Sequence, residues 1–188
     1  MIRRKPPKLR QTDDAPGNLA LVQAFLNTRA ADNERDDFAD LDGMNQWLIK
    51  MSVVDPANDE ARREAIQVRQ GLLALLQGRL KDQPLRDLNA ALGEMRYHLH
   101  VTPQGELQRL PAEGGWRGLL SRLLDVMEKA MAEGQWQRLK ICASQTCARA
   151  FYDRSSNKSG KWCIARGCGS RSRTRAYRER QTKGSSPK

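Results

Sequence analysis

The chain has four cysteines, and their spacing limits most strongly how its C-terminal part can fold. They form two C-x4-C pairs separated by fifteen residues: Cys142, Cys147, Cys163 and Cys168. Two close pairs joined by a short loop can place four thiolates around one tetrahedral ion, and soft thiolates select zinc or iron–sulfur. Because nothing else in the sequence indicates electron transfer, we expect one Zn2+ in a structural role. The alternatives, two disulfides or four unrelated buried thiols, are disfavoured by the matched pairs and the lack of a secretory signal.

The residues around the cysteines predict a small module of two strands and a helix. Alternating apolar and polar residues over 139–143 favour a strand, residues 150–152 favour the returning strand, and 153–160 form a polar loop. A helix is expected from Cys168 to about Thr182. One cysteine pair then lies on a hairpin turn and the other at a helix start, where free N–H groups and the helix dipole favour a thiolate. About 45 residues bury too little apolar surface to fold unaided, so metal binding would supply folding free energy.

This segment resembles the CGNR zinc-finger family. Besides the cysteines, the resemblance rests on the following residues: Phe151, Tyr152, Asp153, Arg154, Ser155, Trp162, Gly169, Arg171, Tyr177 and Arg178. The last cysteine of the family begins a Cys-Gly-Asn-Arg motif, and Ser170 stands here where the family has Asn; both residues cap helices well. The resemblance implies a bacterial DNA-binding module, usually fused behind a helical domain called ABATE, in proteins described as stress-induced transcription regulators.

Positive charge is concentrated in the same segment. The formal net charge of the chain is +11, but residues 138–188 contain 14 Lys and Arg against 2 Asp and Glu, a net of +12. Residues 1–10 add +5, and residues 11–137 hold 14 basic against 20 acidic side chains, a net of −6. This asymmetry indicates a polyanionic partner for the C-terminal part only.

The predicted C-terminal helix carries five arginines. At about 100° per residue, Arg171, Arg175 and Arg178 fall in a narrow stripe, and Arg173 and Arg180 lie near the opposite face. The planar fork of arginine suits phosphate and the guanine edge, so this stripe is the candidate nucleic-acid surface and duplex DNA is the expected partner. Arg173 and Lys161 are added to the candidate contacts.

Other interpretations of this helix remain open. Its arginines could merely offset the formal −2 charge of a four-thiolate zinc site, the module could bind RNA, or it could be an adaptor for an acidic protein. We expect Tyr177 to join Phe151 and Trp162 in a small core that seats the helix on the metal site, the alternative being an aromatic that stacks on bases.

The rest of the chain predicts a helical domain. Residues 1–17 are basic and lack apolar periodicity, so we expect a disordered arm, followed by the helical domain (18–135), the zinc finger (136–182) and a tail (183–188). Apolar periodicity predicts helices from Asn18, over about Asp40 to Met51, from Pro56 to about Leu80, from Gln83, and from Trp116 to Gly134. Alternation over 98–110 predicts a β-hairpin. The expected fold is mostly α: a helical domain with a short β-hairpin, followed by a treble-clef-like zinc module made of a hairpin knuckle and a C-terminal helix.

The helical part is similar to the ABATE domain. Phe25, Leu26, Asn27 and Thr28 stand where that family has a Phe-x-Asn-Thr run, preceded here by Ala24 in place of an acidic residue; Arg69 matches a recurrent arginine. Asn27 and Arg69 are polar residues on helices that we expect to be largely buried, so both need partners. Either they bond each other or backbone carbonyls, or Arg69 holds a small anionic effector in an interhelical pocket.

The sequence favours a binding protein over an enzyme. It has no Gly-rich phosphate loop, no H-E-x-x-H and no G-x-S-x-G motif, and we expect its two histidines, His98 and His100, to be exposed on one side of a strand. Four cysteines on one ion leave no open position for catalysis. No apolar run approaches about 18 residues and no apolar segment follows the basic residues 1–10, so we expect no membrane span, no signal peptide and a cytoplasmic location.

Overall fold

The computed structural model describes residues 14–30, 35–144 and 146–184 of the protein. These residues form six α-helices: α1 (Leu19–Leu26), α2 (Leu41–Lys50), α3 (Asp59–Leu76), α4 (Gln83–Gly93), α5 (Gly115–Ala132) and α6 (Ser170–Gly184). They also form three antiparallel hairpins: β1 (Arg29–Ala30) with β2 (Arg35–Asp36), β3 (Tyr97–Val101) with β4 (Leu107–Pro111), and β5 (Leu139–Ile141) with β6 (Ala150–Tyr152). A 3-10 turn (Trp136–Arg138) precedes β5, and a π-helical turn (Ala165–Gly169) leads into α6. The expected fold class is confirmed.

The two predicted terminal segments lie mostly outside the described residues, which begin at residue 14 and end at residue 184. The last part of the predicted arm is described, and Ala15 is buried there against the core. Its N–H donates to Oε1 of Gln23 on α1 at 2.5 Å. Residues 183 and 184, which we expected in the tail, complete α6.

Side-chain caps set the starts of two helices. The Asp40 carboxylate accepts from the N–H of Gly43 at 2.8 Å, and Asn58 Oδ1 accepts from Ala61 at 2.8 Å, so α2 and α3 begin directly after these residues. Asn18 occupies the N-cap position of α1, but its backbone angles are helical and its side chain makes no capping bond. The expected end of α3 at Leu80 is wrong: Gly78 takes a positive φ of +70°, which stops the helix, and Leu80 is 60% exposed.

An aromatic cluster forms the centre of the core. Phe25 of α1 contacts Phe38, Trp47 and Trp116, with ring centroids 5.5 to 6.0 Å apart. Phe38 and Trp47 meet edge to face at 5.3 Å. Because these residues come from α1, the segment after β2, α2 and α5, the cluster joins most of the helical part into one packed body.

The β5–β6 hairpin has one face in this core and the other at the cysteines. Leu139 pairs with Tyr152, and both are buried with the helical core, together with Ala150. Phe151, whose side chain alternates to the opposite face, is buried with the four cysteines. The helical core therefore extends past residue 135, where we expected the helical domain to end, into the hairpin of the metal module.

The β3–β4 hairpin confirms the strand pair expected over 98–110. Its register pairs His98 with Leu110 and His100 with Gln108, and both histidines are exposed. Leu99 and Val101 are also largely exposed. None of the described helices is long and apolar enough to cross a membrane.

Candidate metal centre and basic helix

The four cysteine sulfurs converge on one point. Their Sγ atoms all lie within 4.8 Å of one another, and all four residues are buried. The Sγ of Cys163 lies 3.6 Å from that of Cys147 and 3.7 Å from that of Cys168. Sulfurs bound at about 2.3 Å to one tetrahedral ion lie about 3.8 Å apart. The cysteines therefore have the number, chemistry and spacing of a four-thiolate metal site, with all four positions supplied by the protein.

The first cysteine pair lies on the turn between β5 and β6. The Cys142 N–H donates to the Arg149 carbonyl at 2.8 Å, and the Cys147 N–H donates to the Ser144 carbonyl at 3.0 Å. Ala148 takes a left-handed φ of +49° in this turn, and both sulfurs lie in the four-cysteine cluster. This is the hairpin knuckle that we expected from the sequence.

The second pair lies on the turn that leads into α6. The N–H groups of Gly167 and Gly169 both donate to the Ile164 carbonyl, at 3.1 and 3.2 Å. Cys168 thus sits just before α6, where the positive end of the helix dipole stabilises a thiolate. A Cβ on Gly169 would lie 3.3 Å from the Trp162 ring, so this position favours a residue without a side chain.

Proximity makes three of the thiols shift one another's pKa. Hydrogen bonds from the Cys147 and Cys163 thiols lower the pKa of Cys142, and the contact with Cys142 raises the pKa of both neighbours. A cation that binds all four sulfurs must replace the protons that they still hold, so metal affinity falls as the pH falls.

A buried carboxylate organises the loop between the cysteine pairs. Asp153 Oδ2 accepts from Lys140 Nζ and from the Gly160 N–H, each at 2.7 Å. Its Oδ1 accepts from the N–H and hydroxyl of Ser155, at 3.0 and 2.7 Å. Burial alone raises the pKa of Asp153, but the bonds from Lys140, Ser155 and Gly160 outweigh it and hold the pKa well below its usual range.

The structural role of Asp153 goes beyond the polar loop that the sequence predicts over 153–160. An Asp followed two residues later by Ser is a signature of a side chain that bonds its own turn, and this signal was available.

The four α6 arginines whose side chains the structure describes occupy three different environments, and the side chain of Arg180 lies outside the described part. Arg171 Nη2 donates to Cys168 Sγ at 3.3 Å, so this arginine contacts a metal ligand. Arg173 places its guanidinium 5.8 Å from the Trp162 ring centroid, which puts it on a different side of α6 from Arg175. Arg175 and Arg178 are exposed. Lys161 is exposed too, and its carbonyl accepts from Ala143 at 2.8 Å.

The expected small aromatic core is correct in part. Phe151 is buried with the cysteines and Trp162 packs partly against them. The expectation for Tyr177 is wrong, because this residue is 58% exposed. Residues 173–178 of α6 are all exposed, so the helix extends away from the module after its first turn and Tyr177 has no core to enter.

Asn27 and Arg69, the candidate effector residues, do not meet each other. Asn27 bonds both backbone groups of Ala150 on β6: its Nδ2 donates to the carbonyl at 3.0 Å, and its Oδ1 accepts from the N–H at 2.8 Å. This is the backbone partner that was one of the alternatives. Asn27 therefore acts like a neighbouring strand that ties α1 to the metal-binding hairpin.

Arg69 is 1% exposed and forms an ion pair with Asp36. Its Nη1 and Nη2 donate to the two carboxylate oxygens of Asp36 at 2.7 Å each, and Nη1 also donates to Thr28 Oγ1 at 2.8 Å. The guanidinium lies 5.1 Å from the Phe38 ring centroid. Burial raises the pKa of Asp36, but the bonds from Arg69 and the Phe38 N–H and the charges of Arg69 and Arg29 together outweigh it and lower that pKa. The anion that an effector would bring to Arg69 is thus supplied by the chain, and we do not carry the effector pocket further.

Comparison with known families identifies a helical-domain family and a zinc finger along this chain. Residues 19–153 match the family model ABATE, described as "Putative stress-induced transcription regulator". Residues 138–181 match the CGNR zinc finger, a segment that contains all four clustered cysteines. No curated protein matches the chain. With most of its length matched, the chain belongs to the ABATE family and carries a CGNR zinc finger at its C-terminal end.

Proposed function

We propose that the protein is a bacterial transcription regulator that binds duplex DNA through α6, on a module held by one structural Zn2+. The observation that carries this proposal is the position of α6: a basic helix that begins two residues after a metal-site cysteine and then extends into solvent. We propose a binding role and not an enzymatic one, since the four sulfurs are buried and fill a tetrahedral ion's coordination.

The physical character of α6 supports a polyanionic partner. A helix that is polar all round gains little from packing, and residues 173–178 of α6 are all exposed. At 15 residues it is roughly 22 Å long, and a helix with its side chains is about 10–12 Å wide. The major groove of duplex DNA is about 12 Å wide and admits such a helix.

Zinc is favoured as the ion by the four thiolates and by the family of the module. Elemental analysis of protein purified under reducing conditions should give about one zinc per chain. Removal of the ion with a chelator should unfold residues 138–181, as followed by the tryptophan fluorescence to which Trp162 contributes. Native disulfides among the cysteines, or a module that stays folded after chelation, would refute the zinc assignment.

The salt dependence of binding tests whether duplex DNA is the partner. Each phosphate contact contributes a log–log slope of about −0.9, so three arginines with one or two neighbouring lysines predict a slope of about −3 to −5. Arg175→Ala and Arg178→Ala should each reduce the magnitude of this slope by about one if the residue meets phosphate. Arg63→Ala, which removes an exposed arginine from α3, is the matched control and should leave binding unchanged.

Two alternatives are distinguished by the same measurement with other ligands. Helical RNA has a deep, narrow major groove that a helix does not enter, so an RNA-binding module would prefer single strands or loops over duplex DNA. An adaptor would prefer an acidic peptide at matched salt. If the zinc-loaded protein shows no salt-dependent affinity for duplex DNA, the transcription-regulator proposal fails, and whichever of the other two ligands binds replaces it.

A further inference from the structure

We propose that a cavity between the β5–β6 turn and α6 is the seat of one phosphate group, in which neutral hydroxyls of the chain act beside the arginines. This inference rests on the proposed function and assigns its nucleic-acid phosphate contact to particular residues. The cavity has a volume of about 240 Å3, and Ser144 and Thr146 on the turn face Arg171, Ser172 and Arg175 on α6 across it. Liquid water occupies about 30 Å3 per molecule, so a phosphate group with bound waters has room there.

Five of the seven side chains that line the cavity are hydrogen-bond donors, and the other two are alanines. Two are guanidinium groups and three are hydroxyls, and none of the described lining residues carries a carboxylate. Ser144 is 7% exposed, yet its Oγ contacts only the Thr146 hydroxyl, at 3.4 Å, among its described hydrogen bonds. A buried hydroxyl at the long limit of hydrogen bonding gains from a strong acceptor, and a phosphate oxygen is one.

The helix start adds to the same preference. Arg171 and Ser172 belong to the first turn of α6, where backbone N–H groups and the helix dipole favour an anion. The guanidinium of Arg171 is held by its bond to Cys168 Sγ, and Ser144 is held by a turn that includes the Cys147 N–H. Both walls of the cavity are therefore fixed to metal ligands, and the seat is ordered before a phosphate arrives.

The contribution of the hydroxyls to binding can be distinguished from that of the arginines by its salt dependence. A hydrogen bond from a neutral group to phosphate strengthens binding without releasing an extra counterion, whereas each arginine on phosphate adds about −0.9 to the salt slope. Ser144→Ala and Ser172→Ala should each weaken binding to a short random-sequence duplex about tenfold with an unchanged slope. Arg175→Ala should weaken binding and also reduce the slope.

The matched control is Thr174→Ala. Thr174 is on α6 beside these residues, but its hydroxyl donates to the Ser170 carbonyl and it does not line the cavity. Because this hydroxyl is already bonded within the helix, its loss should weaken binding much less than the loss of either serine. Zinc content is measured for every variant, so that loss of the ion is not mistaken for loss of a contact.

A second measurement uses inorganic phosphate in place of DNA. In the zinc-loaded full chain, titration with phosphate should shift the backbone amide NMR signals of Ser144 and Ser172 saturably, and Ser144→Ala should abolish that saturation. If DNA binds but the two serine variants match Thr174→Ala, the seat is wrong and the proposed function stands. If no duplex binds but phosphate saturates these signals, the proposed function is wrong and the seat stands as a site for free phosphate. Absence of both effects overturns the seat.

Discussion

The contact between Asn27 and Ala150 predicts that one side chain on α1 supports the metal-binding hairpin. Asn27→Ala removes the acceptor of the Ala150 N–H and one of two donors to its carbonyl, since Gln23 Nε2 also donates there at 3.3 Å. Ala150 is 1% exposed, so water does not replace the lost acceptor. A buried donor left without a partner costs about 1–3 kcal/mol. We therefore expect Asn27→Ala to lower the free energy of unfolding of the zinc-loaded protein by about 2 kcal/mol.

Urea unfolding followed by tryptophan fluorescence measures this loss, because Trp47 and Trp116 are buried in the core. With a slope of about 2 kcal/mol per molar urea, the midpoint should fall by about 1 M. The control is Asn89→Ala, at an exposed position of α4, where the higher helix propensity of alanine should leave stability equal or slightly raised.

The same variant tests whether the metal holds β6 in place. If the hairpin unfolds when zinc is removed, Ala150 leaves Asn27 and the substitution should have little effect on the zinc-free protein. A loss below about 0.5 kcal/mol in the zinc-loaded protein would refute the support that we assign to Asn27. Equal losses with and without zinc would show that the hairpin stays docked on α1 without the ion.

Three further predictions concern the other buried polar groups. Asp36→Ala leaves the buried Arg69 without its carboxylate and should destabilise the protein by about 3–5 kcal/mol in urea unfolding, while exchange of both residues for apolar ones should recover part of the loss. Gly160→Ala places a Cβ 2.7 Å from Asp153 Oδ1 and should cost about 1–3 kcal/mol, whereas Gly93→Ala, with open space around it, should cost nothing; equal effects would contradict the crowding. The lowered pKa of Asp153 gives stability that is present above the unfolded-state pKa of about 3.9 and is lost as the pH falls through the folded-state value. The difference in urea midpoint between wild type and Asp153→Asn should accordingly be constant from about pH 7 to 5 and shrink below about pH 4, and a difference that stays constant there would exclude this linkage.

Local signals in the sequence were sufficient for the main elements and for the cysteine cluster. The spacing of the cysteines required only that two turns face each other, and apolar periodicity located helices whose buried faces are long. Asp40, one residue before α2, shows why a helix start can be predicted from the sequence. Its capping bond to the Gly43 N–H spans only three residues.

The missed features depend on partners distant in sequence. Arg69 and Asp36 are 33 residues apart, and Asp36 lies on a two-residue strand too short to give an alternating pattern. The prediction that Tyr177 is buried was wrong for a different reason. Its neighbours in sequence are mostly charged, and whether a core reaches that turn of α6 depends on where the module ends, which no local pattern states.

The two family matches overlap at residues 138–153, and the helical core and the cysteine cluster meet in the same segment. The β5–β6 hairpin lies within it, and period-2 alternation sends Leu139 and Tyr152 into the helical core while Phe151 faces the cysteines. Because one pair of strands completes both cores, a division of the chain before residue 136 would expose apolar side chains from each. Metal binding at the knuckle therefore stabilises a strand on which α1 also depends, and the orientation of α6 relative to the helical part is set by this shared hairpin. In the regulator that we propose, the basic helix is presented from a fixed position on an acidic body, not from a flexible tether.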